Sequence, residues 1–285
     1  MPVAQARDAL HWRAGDGGLL SASYRWLSST RLDAGVGEVR GRRTDLVAQW
    51  DSEGGLVAGL GHEYSALDVR VTPERAAPVT NGDLHTLYAV VSWDRALENA
   101  ALSLAFAPAL SASSNAFSEP GELNGDSVQV WASAMALFPA SRGEWVLGAA
   151  RDHRFGEATI YPVVGWRLRT ESWRVRLVYP DLLLQRELGR HWALGLTLAP
   201  DGNEWQAFDA NLAWEGAFAR EAWQAELQFS RRWGQRLETA LTAASVWDQH
   251  WRYVARGGQR LDVGSDDSYT VGVQVRWRLG GTTMK

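Results

Sequence analysis

Strict alternation of apolar and polar residues near the C-terminus is the feature that most constrains the fold. Within Tyr269–Leu279 the odd positions hold Tyr, Val, Val, Val, Trp and Leu, and the even positions hold Thr, Gly, Gln, Arg and Arg. A repeat of two residues is that of a β-strand whose two faces meet different surroundings. Similar segments recur along the chain without helical patterns to cover them. The alternation predicts an all-β fold, a transmembrane antiparallel up-and-down β-barrel with apolar residues toward lipid and polar residues toward the lumen.

Composition excludes several other classes of protein. The 285 residues contain no run of 18 apolar residues, which excludes a transmembrane helix. The closed barrel is then the remaining way to cross a bilayer, because it pairs every backbone group. The mean hydropathy is negative, as expected when about every second strand residue is polar. Cysteine is absent, so disulfides and thiolate metal sites are excluded. The net charge of −4 gives no basic surface for nucleic acid. We also expect no bound cofactor.

A single barrel domain is predicted for residues 7–285, because nine prolines and the lack of a low-complexity stretch argue against a linker. The N-terminus contains Ala4-Gln5-Ala6, which has the small-x-small form of a signal-peptidase site. No charged or apolar region precedes this motif. Residues 1–6 are therefore either the remnant of a signal peptide, with Arg7 as the first mature residue, or a chance match in an alanine-rich chain.

The number of strands follows from the lengths of the connections. Fifteen alternating segments are found, whereas single-chain bacterial barrels close on an even number of strands, with short periplasmic turns and long external loops. Joining segments 172–179 and 182–188 into one strand, bulged at Pro180, places all the long connections on one side. These long connections are 71–82, 110–125 and 255–268. We therefore predict fourteen strands, within a range of twelve to sixteen.

Tryptophan is unusually abundant, with sixteen residues, and its rings collect at membrane interfaces. With fourteen strands, the tryptophans fall into the two girdles that a barrel needs. Those predicted at periplasmic ends are Trp50, Trp93, Trp145, Trp173, Trp205, Trp233 and Trp277, and those at external ends are Trp26, Trp192, Trp214, Trp223 and Trp251. Trp205 shares a face with Asp209 and Asn211, which favours an inward orientation for this ring.

A family resemblance covers about residues 154–205. It rests on Ile160–Trp166 (IYPVVGW), Trp173–Pro180 (WRVRLVYP), Trp192–Leu196 (WALGL) and Asn203–Trp205. With these motifs the chain resembles a poorly characterised, porin-like family of bacterial outer-membrane proteins, grouped as a domain of unknown function. The C-terminal strand is also similar to the insertion signal of such proteins, with Thr270, Gly272, Val275 and Trp277 in its places. The resemblance implies an outer-membrane barrel and carries no catalytic residue.

Inward-facing arginines are the candidate functional residues of the lumen. Alternation places Arg167, Arg169, Arg174 and Arg176 on the inner face around one turn, with Arg276 and Arg278 on the closing strand. Gln224, Glu226 and Gln228 face inward elsewhere. One interpretation is a positive constriction that favours anionic solutes. The other is a lumen filled by arginine–carboxylate pairs, since a buried arginine needs a partner. Fourteen strands enclose more space than eight, which keeps a pore or a ligand cavity open as alternatives.

Catalytic and metal-binding alternatives have less support. A hydrolase needs a histidine base beside its nucleophile. Asp152 and His153 are adjacent in sequence, and His62 is three residues from Ser65, so alternation turns the two members of each pair to opposite faces. The remaining candidate bases are His85, His191 and His250. Asp262, Asp266 and Asp267 match no recognised calcium loop, and a solvated acidic loop is the simpler interpretation.

These patterns favour a passive outer-membrane channel for small polar or anionic solutes, without enzymatic activity. A closed barrel for structure or surface recognition, a lipid-active hydrolase, and a channel for apolar substrates with a lateral gap are the alternatives. The expected surroundings are outer-membrane lipid and lipopolysaccharide, with the barrel-assembly machinery acting during insertion.

Overall fold

The protein is a closed antiparallel β-barrel. The structure, a computed structural model, describes residues 17–35, 37–52, 54–71, 82–118, 121, 123–208, 215–255 and 260–279. Its strands are β1 (Gly17–Leu32), β2 (Gly37–Asp51), β3 (Leu56–Val71), β4 (Gly82–Ala96), β5 (Ala101–Ser113), β6 (Val128–Pro139), β7 (Glu144–Asp152), β8 (Thr159–Arg169), β9 (Trp173–Tyr179), β10 (Asp181–Leu188), β11 (Trp192–Pro200), β12 (Asn203–Phe208), β13 (Glu215–Trp233), β14 (Leu237–Ala255), β15 (Arg260–Ser265) and β16 (Ser268–Leu279). A five-residue helix, α1 (Ser114–Ser118), follows β5.

The barrel closes where its last strand meets its first. β16 pairs with β1 in antiparallel register from Gly18 opposite Leu279 to Leu27 opposite Thr270. The predicted strand Tyr269–Leu279 is therefore the closing strand. Closure leaves no unpaired edge in the ring, as a bilayer requires. No helix among the described residues is long and apolar enough to cross a membrane.

Fourteen strands form the barrel because two of them are interrupted. β11 and β12 both pair with β13 and continue one another across Asp201 and Gly202. β15 and β16 both pair with β14, with Asp266 and Asp267 between them. The predicted number of fourteen is confirmed.

The predicted join of two strands across Pro180 is wrong. β9 and β10 pair with each other in antiparallel register, with Val178 opposite Asp181, so the chain reverses at Tyr179–Pro180. Proline and aspartate are common in tight turns, which suits this position to a reversal. The join occurs instead between β11 and β12. The same total results, because one merged pair replaces another.

The outer and inner faces differ as the alternation predicts. Large apolar side chains are exposed on the outer face, including Leu46, Leu87, Val91, Leu147, Leu177, Leu194, Leu196, Leu227, Phe229, Val271 and Val273. The inner face carries buried polar residues such as Asp45, Gln49 and Glu63. An exposed apolar band around a sheet with a polar interior is the arrangement of a barrel embedded in lipid.

The two ends of the barrel have different connections. We define the turn end as the end that carries the short connections 52–55, 97–100, 140–143, 170–172, 189–191 and 234–236. The loop end carries α1, the loop 153–158 and the tip of the β9–β10 hairpin. In a bacterial barrel the turn end faces the periplasm.

The barrel narrows toward the loop end. β12 pairs there with β13 and, in parallel, with β5 through Gln206 opposite Ala112. β12 thereby crosses over the ends of β6–β10. The ring at this height consists of β1–β5 and β12–β15. A buried apolar cluster fills it, formed by Leu32, Val39, Leu84, Trp205, Ala207, Phe218, Trp251, Tyr253 and Val263.

Candidate functional site

The turn end of the lumen is lined by arginines that outnumber the carboxylates between them. Arg232 on β13 forms ion pairs with Glu187 and with Glu238, at 3.8 Å from the latter. Arg276 donates to Glu238 at 3.1 Å. Arg278 lines a small pocket together with Arg232, Arg276 and Glu238. We use the name basic basin for the side chains of Arg174, Glu187, Arg232, Glu238, Arg276 and Arg278.

The other predicted arginines lie on the adjoining wall. Arg174 interacts electrostatically with Arg169, Glu187 and Arg232. Arg167 donates to Glu144 at 2.6 Å, and both side chains stay more than a third exposed. Arg176 lines a separate cavity beside β8 and β9. The structure thus places all six predicted arginines on the inner wall toward the turn end, and three glutamates compensate part of their charge.

The predicted polar trio on β13 lies higher in the lumen. Gln224 donates to Glu226 at 3.3 Å, and Glu226 forms an ion pair with Arg25 at 3.2 Å. Gln228 donates to Gln274 at 3.3 Å. These contacts join β13 to β1 and β16 across the lumen. None of the three side chains lies in the basic basin.

A layer of ion pairs crosses the lumen between the basic basin and the apolar cluster. Asp201 accepts from Arg43 at 3.0 Å and from Arg220 at 2.8 Å, so it joins β2 to β13. Arg43 also contacts Asp45 at 3.1 Å and Glu63 at 2.9 Å. The side chains in these pairs are at most 16% exposed. The layer corresponds to the predicted filling of the lumen by charge pairs, at this height of the barrel.

The wall of the barrel is low at the β9–β10 hairpin. Seven residues of β9 reach about 23 Å along the strand, and a tilt near 40° reduces this to about 18 Å, less than the apolar band of about 25 Å. The hairpin ends with Tyr179 opposite Val164, whereas Ile160 farther along β8 still faces outward and is 74% exposed. The wall therefore lacks β9 and β10 over the outermost five residues of β8.

A buried ion pair closes this low wall. Arg154, in the loop 153–158, donates to Asp181 at 2.7 and 2.8 Å and to Asp152 at 2.9 Å. Tyr161 donates to Asp152 at 2.6 Å. Beside the pair lies a small pocket that Asp181 helps to line, with mainly apolar side chains including Leu137, Val146, Tyr161, Val163 and Val178. Sequence reasoning missed Arg154, because its partner Asp181 belongs to a hairpin that was interpreted as one strand.

The tryptophans of the predicted girdles occupy varied positions. Trp50, Trp145, Trp233 and Trp277 are about half exposed at the turn end, and Trp26 is 49% exposed toward the loop end. Trp93 and Trp173 also lie at the turn end, each with an arginine over its ring. Trp192 begins β11 beside the turn 189–191, so it lies at the turn end and not at the predicted external end. Trp223 is half-buried, with Phe155 against its ring.

Two tryptophans assigned to interfaces point into the barrel instead. Trp205 and Trp251 are each 4% exposed in the apolar cluster at the loop end. The inward orientation suggested for Trp205 by its neighbours is correct, although its predicted periplasmic end is not. Trp214, Asp209, Asn211 and residues 1–6 lie outside the described residues.

His62 and Ser65 face opposite sides of the wall, as alternation predicts, whereas Asp152 is the last residue of β7 and His153 lies beyond the strand. Ser65 lines the lumen, whereas His62 faces outward between Leu46 and Leu87. The ring nitrogens of His153 have no hydrogen-bond partner among the described residues. No group of three or more metal-binding side chains occurs in the described part of the chain. His62 does meet a second histidine, His85, which sequence reasoning named but did not connect to it.

Comparison with known proteins gives similarity at the level of the fold. No protein-family model and no curated protein matches the chain. The KdgM porin is 12% identical over 89% of this chain and 97% of its own, with a TM-score of 0.37. An outer-membrane channel from Pseudomonas putida F1 is 9% identical over 93% and 96%, with a TM-score of 0.46. The Pseudomonas putida toluene transporter TodX is 9% identical over 95% and 93%, with a TM-score of 0.36. These similarities transfer no function and no residue roles to this chain.

Proposed function

We propose that the protein is a passive channel of the bacterial outer membrane that admits small anionic solutes through its turn end. The observation that carries the proposal is the excess of arginine on the inner wall at that end. Arg174, Arg176, Arg276 and Arg278 line cavities or interact across the lumen. Rings of positive side chains favour anions in pores. Outer-membrane lipid and lipopolysaccharide would surround the apolar band.

The ion-pair layer sets the expected conductance of this channel. Asp201, held by Arg43 and Arg220, spans the lumen above the basin. Any solute that follows the barrel axis must displace or pass these side chains and then the apolar cluster beyond them. We therefore expect conductance steps well below those of an open porin, and an increase in their size when the layer is weakened.

Planar-bilayer recording in an asymmetric chloride gradient tests the proposal. The double variant Arg174→Gln/Arg176→Gln should lower the anion preference, because it removes two lumen charges. Arg186→Gln/Arg231→Gln is the matched control, because Arg186 lies over Trp173 and Arg231 over Trp192 on the outer face, so two charges are lost outside the lumen. Equal effects of the two variants would contradict the proposed role of the basin.

The same recordings distinguish a channel from a closed barrel. Asp201→Asn weakens both ion pairs of the layer with little change in volume. A folded protein without conductance steps, in both the wild type and Asp201→Asn, would establish a closed barrel and end the channel proposal. Steps in Asp201→Asn alone would identify the layer as the barrier.

The low wall favours a second candidate function, lateral passage of an apolar solute between the lumen and the membrane. A pocket lined mainly by apolar side chains lies beside the Arg154–Asp181 pair, with Asp181 in its wall. The pair holds the loop 153–158 against the β9–β10 hairpin, so Arg154→Met should speed the entry of a fluorescent apolar probe into vesicles. Arg40→Met, which removes an arginine from an exposed ion pair, is the matched control. If the two variants admit the probe at the same rate, the lateral route is excluded.

A further inference from the structure

Two histidines lie on the outer wall of the barrel, where polar groups are unfavourable. His62 on β3 is opposite Leu46 on one side and Leu87 on the other, and both leucines are exposed members of the apolar band. His85 on β4 has the same outward direction as Leu87, two residues away. Polar side chains on a lipid-facing wall are costly, and their presence favours a functional role.

The two imidazoles and a serine hydroxyl form a continuous hydrogen-bonded chain. Nε2 of His85 is 2.8 Å from Oγ of Ser114, and Nδ1 of His85 is 3.0 Å from Nε2 of His62. The two rings are nearly parallel, with an interplanar angle of 6°. If Nδ1–H of His85 donates to His62, Nε2 of His85 is left to accept the proton of Ser114. This is the order of nucleophile, base and orienting group in serine hydrolases.

The surroundings of Ser114 keep the chain of three groups in place and accessible. Ser114 begins α1 directly after β5, and its hydroxyl also reaches the carbonyl oxygen of Asp83 at 3.2 Å. Phe117 of α1 packs edge-on against His85. Ser114, His85 and His62 are all partly exposed, in contrast to the buried residues of the lumen. They can therefore be reached from the outside of the barrel near the loop end.

We propose that Ser114, His85 and His62 form a hydrolytic site for ester-linked acyl chains of an anionic membrane lipid. The exposed leucines beside His62 lie where an acyl chain of the surrounding leaflet would pack. Tyr64 donates to the carboxylate of Asp83 at 2.7 Å, and Arg42 is within hydrogen-bonding reach of Tyr64. Arg42 is exposed on the same outer wall, so it can bind a phosphate group of the lipid.

The proposed reaction is a balanced acyl transfer to water. Oγ of Ser114 attacks the ester carbonyl carbon while its proton passes to Nε2 of His85, and that proton then protonates the departing alcohol oxygen. Water attacks the resulting acyl-serine, with His85 again taking the proton, which releases a fatty acid and restores the hydroxyl. His62 orients His85 and stabilises its protonated form by accepting from Nδ1–H. The products are one alcohol and one fatty acid for each ester and water consumed.

The test uses the full-length barrel folded in detergent micelles, with phosphatidylglycerol or purified lipopolysaccharide added in separate reactions. Released fatty acid is measured by mass spectrometry. We expect release from at least one lipid, a loss of at least ~100-fold in Ser114→Ala and in His85→Asn, and a smaller loss in His62→Asn. Ser65→Ala is the matched control, because Ser65 is only three residues from His62 in sequence but lines the lumen. The lipid that is cleaved identifies the source of the acyl chain.

A fluorophosphonate probe provides a second readout that a structural role would not change. It should label Ser114 in the wild type and in Ser65→Ala, and labelling should fall in His85→Asn while the barrel stays folded by tryptophan fluorescence. The rate should rise with pH as His85 loses its proton, because the neutral imidazole is the base. Folded wild type that neither labels at Ser114 nor releases fatty acid above the Ser114→Ala background would overturn the proposal. Conductance should be the same in Ser114→Ala and wild type, which separates this site from the channel.

Discussion

Removal of the Arg154 side chain should destabilise the barrel more than removal of an exposed arginine. The side chain of Arg154 is 1% exposed, and it pairs with Asp152, also 1% exposed, and Asp181, 14% exposed. In Arg154→Met both carboxylates lose their cation. Asp152 keeps hydrogen bonds from Tyr161 and from the Arg154 backbone N–H, whereas Asp181 loses both of its bonds to the guanidinium.

The expected cost follows from the burial of these charges. Breaking a buried ion pair by removing one partner typically costs about 3–5 kcal/mol, because an uncompensated charge stays buried. The matched variant is Arg40→Met. Arg40 pairs with Asp68 at 2.7 Å, but the two side chains are 49% and 35% exposed. An exposed pair contributes roughly 0–1 kcal/mol, so the two variants should differ by at least about 2 kcal/mol in the free energy of unfolding.

Urea unfolding in phospholipid vesicles, followed by tryptophan fluorescence, measures both variants on the same scale. The double variant Arg154→Met/Asp181→Asn should lose less than the sum of the single losses, because it leaves one unpaired carboxylate fewer. Equal stability of Arg154→Met and Arg40→Met would refute the reasoning. It would mean that water reaches the low wall and solvates Asp181 without the arginine.

Three further predictions concern other parts of the barrel. Burial lowers the pKa of His153 to about 4, although Asp152 opposes the shift. The free energy of unfolding should therefore decline by up to about 3 kcal/mol as the pH falls from about 6.5 toward 4. His153→Leu should flatten this pH dependence in urea titrations. Gly148→Ala should lower the free energy of unfolding by about 1–3 kcal/mol, because its Cβ would lie 2.2 Å from the carbonyl oxygen of Ala134. Gly195→Ala should be nearly neutral in the same assay, because no atom lies closer than 3.8 Å to its Cβ. Brominated lipids should quench the fluorescence of Trp145 in a single-tryptophan variant but leave that of Trp205 unchanged, and equal quenching would contradict the inward orientation of Trp205.

Local pattern predicted most of the strands and the number of strands in the barrel, but it missed β15, because residues 255–268 were interpreted as one long connection. The closing strand, predicted as 269–279, is Ser268–Leu279. β7, predicted as 144–154, is Glu144–Asp152. Alternation reports such strands directly because each has a lipid-facing and a lumen-facing side.

The incorrect join shows what the alternation of short turns and long loops does not determine. Pro180 and the Asp201–Gly202 pair are both typical of an interruption in a strand, and merging at either place gives fourteen strands. The difference lies in pairing. β9 and β10 pair with each other, whereas β11 and β12 pair with the same partner, β13. Strand partners depend on contacts between distant parts of the chain, so a single sequence does not distinguish the two cases.

The same distinction between local pattern and distant contact applies to the basic basin and to the outer-wall histidines. Alternation alone predicts that Arg174 and Arg276 face inward. It does not predict the partner of Arg276, because Glu238 lies 38 residues away on β14. His85 and Ser114 are 29 residues apart and meet through the register of β4 with β5. A side chain's direction is therefore predictable from local sequence, and its partner is not.

The unequal lengths of the strands account for both the polar basin and the closed loop end. At the turn end fourteen strands enclose more volume than side chains fill, and the inner wall there carries charged groups beside cavities. At the loop end β12 bypasses β6–β10, and the ring of β1–β5 and β12–β15 approaches the size that side chains can fill, as the apolar cluster does. Asp201 lies at the transition between the two rings, where β11 leaves β10 and β12 begins. The ion-pair layer is thus located where the lumen narrows, and variants of Asp201 should alter conduction without affecting the outer-wall serine and histidines.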